Sequence, residues 1–551
     1  MKKGFTLIEM IGVMVIISLL LLLVMPNIIN YIKKGGDIKD KATKEILYTA
    51  AKKFMEDNKE DFKKDKYSTY CIKVNILSNE GYIDSPMTLS SSDKDITNNN
   101  STTSVKITYD KKYKYDLVEN CEEKINPTPV LSKGLTPIKY DEENSKWIVA
   151  DKDKNDWYDY DKQEWANAVT LLPGVTKNVG DEVKVDGTEA SMMLVWIPRY
   201  EYKIEGIYGK SLYNEEETQT RPGAININFV LRTKKGYDSV SGYRVHPAFT
   251  FGEQEVSGIW VGKFEISSAD TSANLDKIRV LPNMVALSNM NISSFFTLIR
   301  NLENESTLGL KNIDTHMIKN SEWGAVAYLS QSKYGKYGNK AYENENREVY
   351  ENKSYDFLTG KSNGTPSPIE ERSGDQCSYN DMTALGDGKG VCGPGASTTG
   401  NIYGVYDMSG GSYEFVMGVL SDNDGIYIGY KIDPPWHSFF NGRVTFTNQI
   451  VTGWVPQPEE KYYDKYNRAE NNIVCVNEVD NTCYGQALTE TMNWYNNNNS
   501  NNDDSRYYPW ILRSGSYIDS DEGIHNGIFQ IIFSYGVGDF TSSTRPVFIS
   551  K

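Results

Sequence analysis

Residues 1–25, MKKGFTLIEMIGVMVIISLLLLLVM, decide how the first part of this chain folds. After two lysines and a glycine, the 21 residues from Phe5 to Met25 are almost all apolar. A helix of that length is about 31 Å long, because an α-helix rises about 1.5 Å per residue. Such a helix spans the hydrocarbon core of a bilayer. Residues 5–25 are therefore predicted to form a transmembrane helix.

Glu9 is the one carboxylate within this apolar run. A charge at membrane depth costs several kcal/mol unless it finds a partner. A secretory signal peptide would have a shorter apolar region and a small-x-small cleavage site, and the sequence VMPNIINY at 24–31 offers none. A plain membrane anchor fits the length but leaves Glu9 unexplained.

The stretch KKGFTLIEM resembles the type IV prepilin signature, in which a short basic leader ends in Gly and Phe-Thr-Leu-Ile-Glu follows. The resemblance implies that a prepilin peptidase removes residues 1–4 by cutting between Gly4 and Phe5, and then methylates the new amine of Phe5. Glu9, the fifth mature residue, would neutralise the Phe5 amine of an adjacent subunit during filament assembly. The implied partners are other pilin subunits, the peptidase, the pilus assembly machinery and, before assembly, the cytoplasmic membrane. The implied final location is the cell surface.

The segment up to residue 128 fits the rest of a pilin module. Pro26 predicts a kink or break, and the helix is expected to resume beyond Gly35 and Gly36. One apolar helix face is predicted from Ala42, Ile46, Ala50 and Phe54, with Leu47 and Ala51 beside it. The alternation in SVKITYDKKYKYDLV at 104–118 predicts a β-hairpin. A long helix on a small antiparallel sheet is the pilin plan, so residues 5–128 are assigned to that module.

Charge and cysteine content restrict the function and the redox state. The net charge of −15 and the pI of about 5.0 argue against nucleic acid as a partner of the large domain. Six cysteines form three local pairs, and none has a C-x-x-C spacing. Beside an export-type N-terminus the pairs predict three disulfides, and free buried thiols are the alternative. The predicted pairs are Cys71–Cys121, Cys377–Cys392 and Cys475–Cys483.

Residues 129–175 are expected to be a linker followed by a small β motif rich in tryptophan and tyrosine. Asp151, Asp153 and Asn155 begin like a calcium-binding EF-hand loop. The pattern then fails, because Asp156 stands where the turn needs Gly and Lys162 where the closing Glu should be.

The remainder, residues 176–551, is predicted to be one large domain. Its most specific stretch is NIYGVYDMSGGSYEF at 401–415, and Arg513 and Arg545 stand in later strand motifs. From about residue 190 onward the sequence resembles the formylglycine-generating-enzyme/sulfatase-modifying family, which has a variant of the C-type lectin fold. The chain departs from the family where Gly411 replaces Asn and where Tyr413 and Phe415 replace tryptophans. The expected fold class of the whole chain is α+β.

The residues that carry this family's chemistry are absent from the sequence. The family's oxidase binds copper with a cysteine pair near the C-terminal end, and residues 484–551 contain no cysteine. A related branch holds iron with three histidines, whereas the four histidines here are widely scattered. We therefore expect no enzymatic activity. The histidines are His246, His316, His437 and His525.

Calcium is the remaining cofactor that the resemblance suggests. Some relatives hold Ca²⁺ with loop carbonyls and the Glu of a W-E-W motif; Glu414 occupies that position, with Asp407 nearby. The alternative is that Glu414 forms a salt bridge or a cap inside the core.

Together these patterns predict a minor type IV pilin, placed at the filament tip, that displays a C-type lectin-like domain for adhesion or surface recognition. Its ligand would be an unidentified host, cell-surface or matrix molecule. Two alternatives are a pilin-anchored enzyme of the formylglycine-generating family and a minor pseudopilin of a secretion or DNA-uptake system.

Overall fold

The protein is described by a computed structural model, and it divides into two compact units, Met1–Asn126 and Pro127–Lys551. The structure describes residues 7–90, 92–154, 156–205, 224–336, 349–354, 356–362, 377–384, 391–421, 458–469, 472–475, 483–491, 494, 510–515, 527–534, 536, 538 and 540–551. Within them strands predominate over helices, so the predicted α+β class is confirmed. The C-type lectin assignment stays a prediction.

The first unit is a long helix packed on a small sheet. A three-stranded antiparallel sheet has the order β1-β4-β5, and a short β2–β3 pair lies apart from it. The predicted hairpin is confirmed, with Tyr109 opposite Tyr113. The elements are α1 (Leu7–Asp57), β1 (Thr69–Lys73), α2 (Val74–Asn79), β2 (Thr88–Leu89), β3 (Ser92–Asp95), β4 (Thr103–Asp110) and β5 (Lys112–Glu119).

Helix α1 continues through Pro26 and the Gly35–Gly36 pair, so a break at either place is wrong, and a kink at Pro26 stays a prediction. Proline inside a helix costs about 3 kcal/mol, and several helical turns on each side of Pro26 outweigh that cost. Within the described part of the chain, no helix has both the length and the apolar character needed to cross a membrane. Most side chains of residues 7–32 lie outside that part, so the membrane span at 5–25 stays a prediction.

Four of the six residues predicted for the apolar face of α1 are buried, and Ala51 is one of them. Leu47, Ala50 and Phe54 are buried, whereas Ala42 is exposed and Ile46 is 51% exposed. A four-residue step turns the helix by about 400°, so positions at that spacing drift by about 40° per step. Residues at the two ends of the predicted stripe therefore point in different directions.

The second unit is built on two sheets, and its elements continue the numbering. They are β6 (Thr136–Asp141), β7 (Lys146–Val149), β8 (Asn167–Leu171), β9 (Ala190–Pro198), β10 (Tyr200–Glu205), β11 (Ala224–Phe229), β12 (Arg244–Val245), β13 (Thr250–Phe251), β14 (Gln254–Glu255), β15 (Gly258–Gly262), β16 (Ser267–Ser268), β17 (Ile278–Arg279), α3 (Ile292–Asn301), β18 (Ile313–Met317), α4 (Asn320–Ser330), β19 (Tyr413–Ser421), β20 (Asp464–Ala469), β21 (Asn472–Val474), β22 (Trp510–Arg513), β23 (Ile531–Ser534), β24 (Ser542–Ser543) and β25 (Pro546–Ser550).

The larger sheet has seven strands among the described residues, in the order β18-β25-β15-β9-β8-β6-β7. All nine residues of β9 are buried, which is typical of a strand covered on both faces. Strands β6, β7 and β8 come from 129–175, the segment expected to be a linker with a small β motif. They instead extend the main sheet, because Ile138, Trp147 and Val169 bury their side chains there.

The second sheet, of six strands among those described, surrounds β19. Strand β22 pairs with β19 in antiparallel fashion, and β20 and β24 pair with it in parallel. In this register Glu414 lies opposite both Arg513 and Ser543. Helix α4 is buried along all its described residues. A continuous buried centre therefore forms where β19 begins.

Candidate functional site

The predicted prepilin processing site lies at the edge of what the structure describes. Gly4 and Phe5 lie outside the described residues, because α1 is described from Leu7 onward. The backbone of Glu9 is helical, and its side chain is outside the described part. Its pairing with an adjacent subunit therefore stays a prediction.

The segment before β19 adopts the left-handed backbone conformation three times. Asp407 has φ 59°, Gly410 φ 71° and Gly411 φ 79°. The Gly411 Cα is so close to Glu265 that an added Cβ would lie 2.5 Å from its Oε1 atom. Glycine is therefore required at 411 both for its backbone angle and for space, and the segment brings Asp407 and Glu414 into one buried centre.

Glu414 forms a fully buried ion pair with Arg545. The Arg545 Nε atom donates to Glu414 Oε2 at 2.7 Å, and its Nη2 atom donates to Glu414 Oε1. The remaining guanidinium hydrogens reach backbone carbonyl oxygens of Gly262, Tyr406 and Asp407 at 3.0–3.2 Å. Arg545 thus ties the start of β25 to β15 and to the segment before β19.

Asp407 and Glu265 are the other two carboxyl groups of this centre. Asp407 accepts hydrogen bonds from Asn352 Nδ2 at 2.8 Å and from the Gly360 backbone N–H at 2.8 Å. Glu265 accepts one from the Ser412 backbone N–H at 2.8 Å. Each carboxyl therefore holds a separate chain segment in place.

Burial raises the pKa values of all three carboxyl groups, and the nearby Arg545 guanidinium opposes that rise. Burial raises the pKa of Glu414 to about 7, against the lowering effect of Arg545. Burial likewise raises the pKa of Asp407, again against Arg545. Burial, together with the neighbouring charges of Asp407 and Glu414, raises the pKa of Glu265 well above its ordinary value. These carboxyl groups therefore take up protons at a higher pH than exposed carboxyl groups do.

The calcium role considered for Glu414 and Asp407 does not fit this geometry. Calcium takes six to eight oxygen ligands, whereas Glu414 is engaged by Arg545 and Asp407 by Asn352 and Gly360. Among the described residues no group of three or more His, Cys, Asp or Glu side chains is placed to hold a metal ion. Of the two alternatives for Glu414, the salt bridge is the one the structure has.

Lys263 is a buried lysine that links separate chain segments, and its role is not predicted from the sequence. Its Nζ atom donates to Asn167 Oδ1 at 2.9 Å and to the carbonyl oxygens of Ile402 and Gly404 at 2.7 and 2.8 Å. Burial lowers its pKa well below the ordinary value. Three acceptors match the three hydrogens of an ammonium group, so Lys263 joins β8 to the segment at 402–404.

Arg513 joins segments on the other side of β19. Its Nε and Nη2 atoms donate to Asn320 Oδ1 at 2.8 and 2.7 Å, and further hydrogens reach the carbonyl oxygens of Ala487 and Gln486. Burial lowers its pKa to about 10. Arg513 on β22 and Asn320 on α4 thereby hold residues 486–487 in place.

Two histidines are buried, and two lie outside the described residues. His246 packs between Tyr200 and Tyr202, and burial lowers its pKa to about 3. His316 lies between two carboxylates on β18 and α4. His437 and His525 are outside the described part. His246 and His316 therefore belong to separate buried clusters, the first aromatic and the second ionic.

All six cysteines form disulfides in the predicted pairing, Cys71–Cys121, Cys377–Cys392 and Cys475–Cys483. The first pair closes the sheet of the first unit between β1 and the end of β5. No cysteine is left as a free thiol.

Comparison with known proteins gives one finding for the N-terminus. Residues 1–25 match the prokaryotic N-terminal methylation motif. The N-terminus is type IV prepilin-like. This motif is typical of pilus and pseudopilus subunits that are processed by a prepilin peptidase. No curated protein matches the chain.

Glu265, Lys263 and Asn167 were the members of the buried centre that sequence reasoning missed. Their signal was weak but present: Lys263 and Glu265 alternate with apolar residues in GIWVGKFEI at 258–266, a stretch otherwise typical of a fully buried strand. Charged residues in such a stretch need buried partners, and those partners lie far away along the chain.

Proposed function

We propose that the protein is a minor type IV pilin that displays its second unit, residues 127–551, as a binding domain at the filament tip. The observation that carries the proposal is the N-terminal methylation motif at residues 1–25, on a chain whose second unit is much larger than its first. The motif supports membrane insertion, processing and assembly of the first unit. The second unit would then act outside the cell.

Its size supports a low copy number. A major subunit repeats every few ångströms along a filament, and a folded unit spanning residues 127–551 at every repeat would collide with its neighbours. A subunit at the tip has free space above it. Tip placement therefore accommodates the large unit without altering the filament.

The buried polar groups support binding rather than catalysis. Arg545, Lys263 and Arg513 are each saturated by contacts that join distant segments of the second unit. These contacts fix the interior framework of the second unit, and a rigid framework limits the conformational entropy lost when a partner docks. The sequence also lacks the cysteine pair and the histidine set expected for oxygen chemistry. An adhesive or recognition role needs a rigid framework and no redox metal, and therefore agrees with these features.

The charge distribution narrows the class of ligand. Residues 1–126 contain 20 lysines and 18 acidic residues, a net charge of +2. The chain as a whole carries −15, so residues 127–551 carry a net charge of −17. A unit of this charge repels phosphate polymers. We therefore propose a neutral or cationic cell-surface or matrix ligand.

Immunogold electron microscopy with antibodies against the second unit tests the placement. We expect sparse gold particles at filament ends in cells that express the wild-type chain. Cells expressing Gly4→Arg provide the matched control, because this variant keeps the second unit but blocks processing. Labelling along the whole shaft would contradict the tip assignment. Labelling confined to the cell envelope would favour a pseudopilus.

Adhesion assays separate binding from catalysis. Cells with the wild-type chain should adhere to immobilised host cells or matrix more strongly than cells with Gly4→Arg. The purified full chain in detergent should show no stoichiometric copper or iron and no oxygen consumption with thiol peptides. Oxygen consumption with a bound redox metal would instead support the enzyme alternative.

A further inference from the structure

His316 lies between two carboxylates inside the second unit. Its Nδ1 atom is 3.0 Å from Asp314 Oδ1, and its Nε2 atom is 3.0 Å from Glu322 Oε1. The side chain is fully buried. A carboxylate only accepts hydrogen bonds, so both ring nitrogens must donate, and only the imidazolium form has two donors.

Several groups from neighbouring elements also face this cluster. Arg300 on α3 donates to Asp314 at 3.2 Å, and Lys551 Nζ lies 4.0 Å from the same carboxylate. The backbone N–H of Lys319 donates to Glu322 at 2.8 Å. Arg300 and Lys551 also pair with Glu303. Contacts other than those with His316 therefore hold both of the neighbouring carboxylates in place.

Two further segments pack on the histidine. The Phe251 ring stacks on the His316 ring with centroids 5.0 Å apart and planes 16° apart. The Tyr462 hydroxyl donates to Asp314 Oδ2 at 2.9 Å, and its ring lies 5.7 Å from His316. Asp464 also attaches this segment to α4, because its carboxylate accepts a hydrogen bond from the Ser321 backbone N–H at 2.7 Å. The side chains of Lys319 and Lys461 lie over Phe251.

We propose that His316 is held as an imidazolium cation between Asp314 and Glu322, and that its charge latches residues 458–466 and the β13–β14 hairpin onto β18 and α4. Loss of the ring proton leaves one nitrogen lone pair facing a carboxylate. That repulsion weakens the stacked Phe251 and the Asp314–Tyr462 hydrogen bond together. The latch is independent of the binding role proposed above.

The direction of the pH dependence follows from the same contacts. Burial alone would lower the pKa of His316, but Glu322 and Asp314 outweigh it and raise the pKa above the ordinary value of 6.5. The His316 contribution is therefore fully present below 6.5 and is lost as the pH rises through the higher folded-state pKa. We therefore expect the latch to open when the pH rises above the folded-state pKa of His316.

Nitrogen-15 solid-state NMR of the full chain, labelled only at histidine and held in lipid bilayers, tests the charge state. The signals lost in His316→Gln identify His316. At pH 6.5, the ordinary pKa of histidine, we expect more than half of the His316 rings to carry a proton on both nitrogens. A ring that is neutral in half or more of the molecules at that pH would overturn the proposal.

Hydrogen–deuterium exchange of the wild-type chain tests the latch without any variant. Peptides covering 250–255 and 458–466 should lose protection, beyond the ordinary base-catalysed increase, as the pH rises past the His316 transition. Peptides from β9 provide the internal control and should keep their protection. In Glu322→Gln, which removes one carboxylate at nearly constant shape, the loss should begin at lower pH. Unchanged protection of both latched peptides across the transition would exclude the latch.

Discussion

Glu414 and Arg545 lie 131 residues apart in the chain, yet they form a fully buried, two-point ion pair at the start of β19. Removing one member of a buried pair costs about 3–5 kcal/mol, because the other charge is left without a partner. We expect a loss of that size in the free energy of unfolding for Arg545→Met.

Denaturant titration followed by tryptophan fluorescence measures this loss. All ten tryptophans lie beyond residue 126, so their emission reports only the second unit. The double variant Glu414→Gln/Arg545→Met is the control and should lose less than the sum of the two single variants. Additive losses would show that the pair is not coupled.

The carboxyl group of Glu265 predicts a pH dependence of stability. The folded-state pKa values of Glu265 and Glu414 lie above the ordinary 4.5, so folding takes up protons. The free energy of unfolding should therefore fall as the pH rises from 4.5 towards about 7, the pKa of Glu414. Glu265→Gln mimics the protonated acid at every pH and should flatten this decline. An identical pH slope in the variant and the wild type would refute the assignment.

Gly411 should tolerate a side chain less well than another glycine with the same backbone angle. Gly174 has φ 81° and open space around it, so Gly174→Ala carries only the left-handed strain of about 1–2 kcal/mol. Gly411→Ala carries that strain and also a 2.5 Å approach to Glu265. Thermal unfolding should rank Gly411→Ala well below Gly174→Ala. Equal melting temperatures would mean that Glu265 moves aside freely.

Processing at Gly4 should depend on the small size of that residue. A charged residue in Gly4→Arg should leave an uncut precursor in the membrane, whereas Lys2→Gln keeps the scissile bond and should still be cut. Intact-mass analysis of the wild-type protein should give a chain that begins at Phe5 with a methylated amine. A different mature start would remove the basis for the pilin assignment.

The three disulfides should be present in the exported protein. Peptide mapping without reduction should recover Cys71–Cys121, Cys377–Cys392 and Cys475–Cys483 as linked pairs, and a reduced sample provides the control. Alkylation of Cys377 or Cys392 in the native, unreduced protein would show that this pair stays open.

Local patterns predicted many elements correctly. The alternation around Asp110 predicted the β4–β5 hairpin, and the grouping of the six cysteines into three separate pairs along the chain predicted the disulfides. The four-residue spacing on α1 misled, because 3.6 residues per turn make such a stripe drift around the helix. The sequence of 129–175 predicts only a separate small motif, because nothing within 136–149 indicates that β6 and β7 join strands from later in the chain.

The sequence by itself determined the prepilin-like N-terminus, the absence of cysteine after Cys483 and the apolar runs that become strands, because each depends on neighbouring residues alone. Only the tertiary structure decided the roles of Glu414, Lys263 and His316. A buried charge is tolerated when its partners lie within hydrogen-bonding distance. Those partners are brought together by sheet register across more than a hundred residues for Glu414, and by the short connection from β18 into α4 for His316.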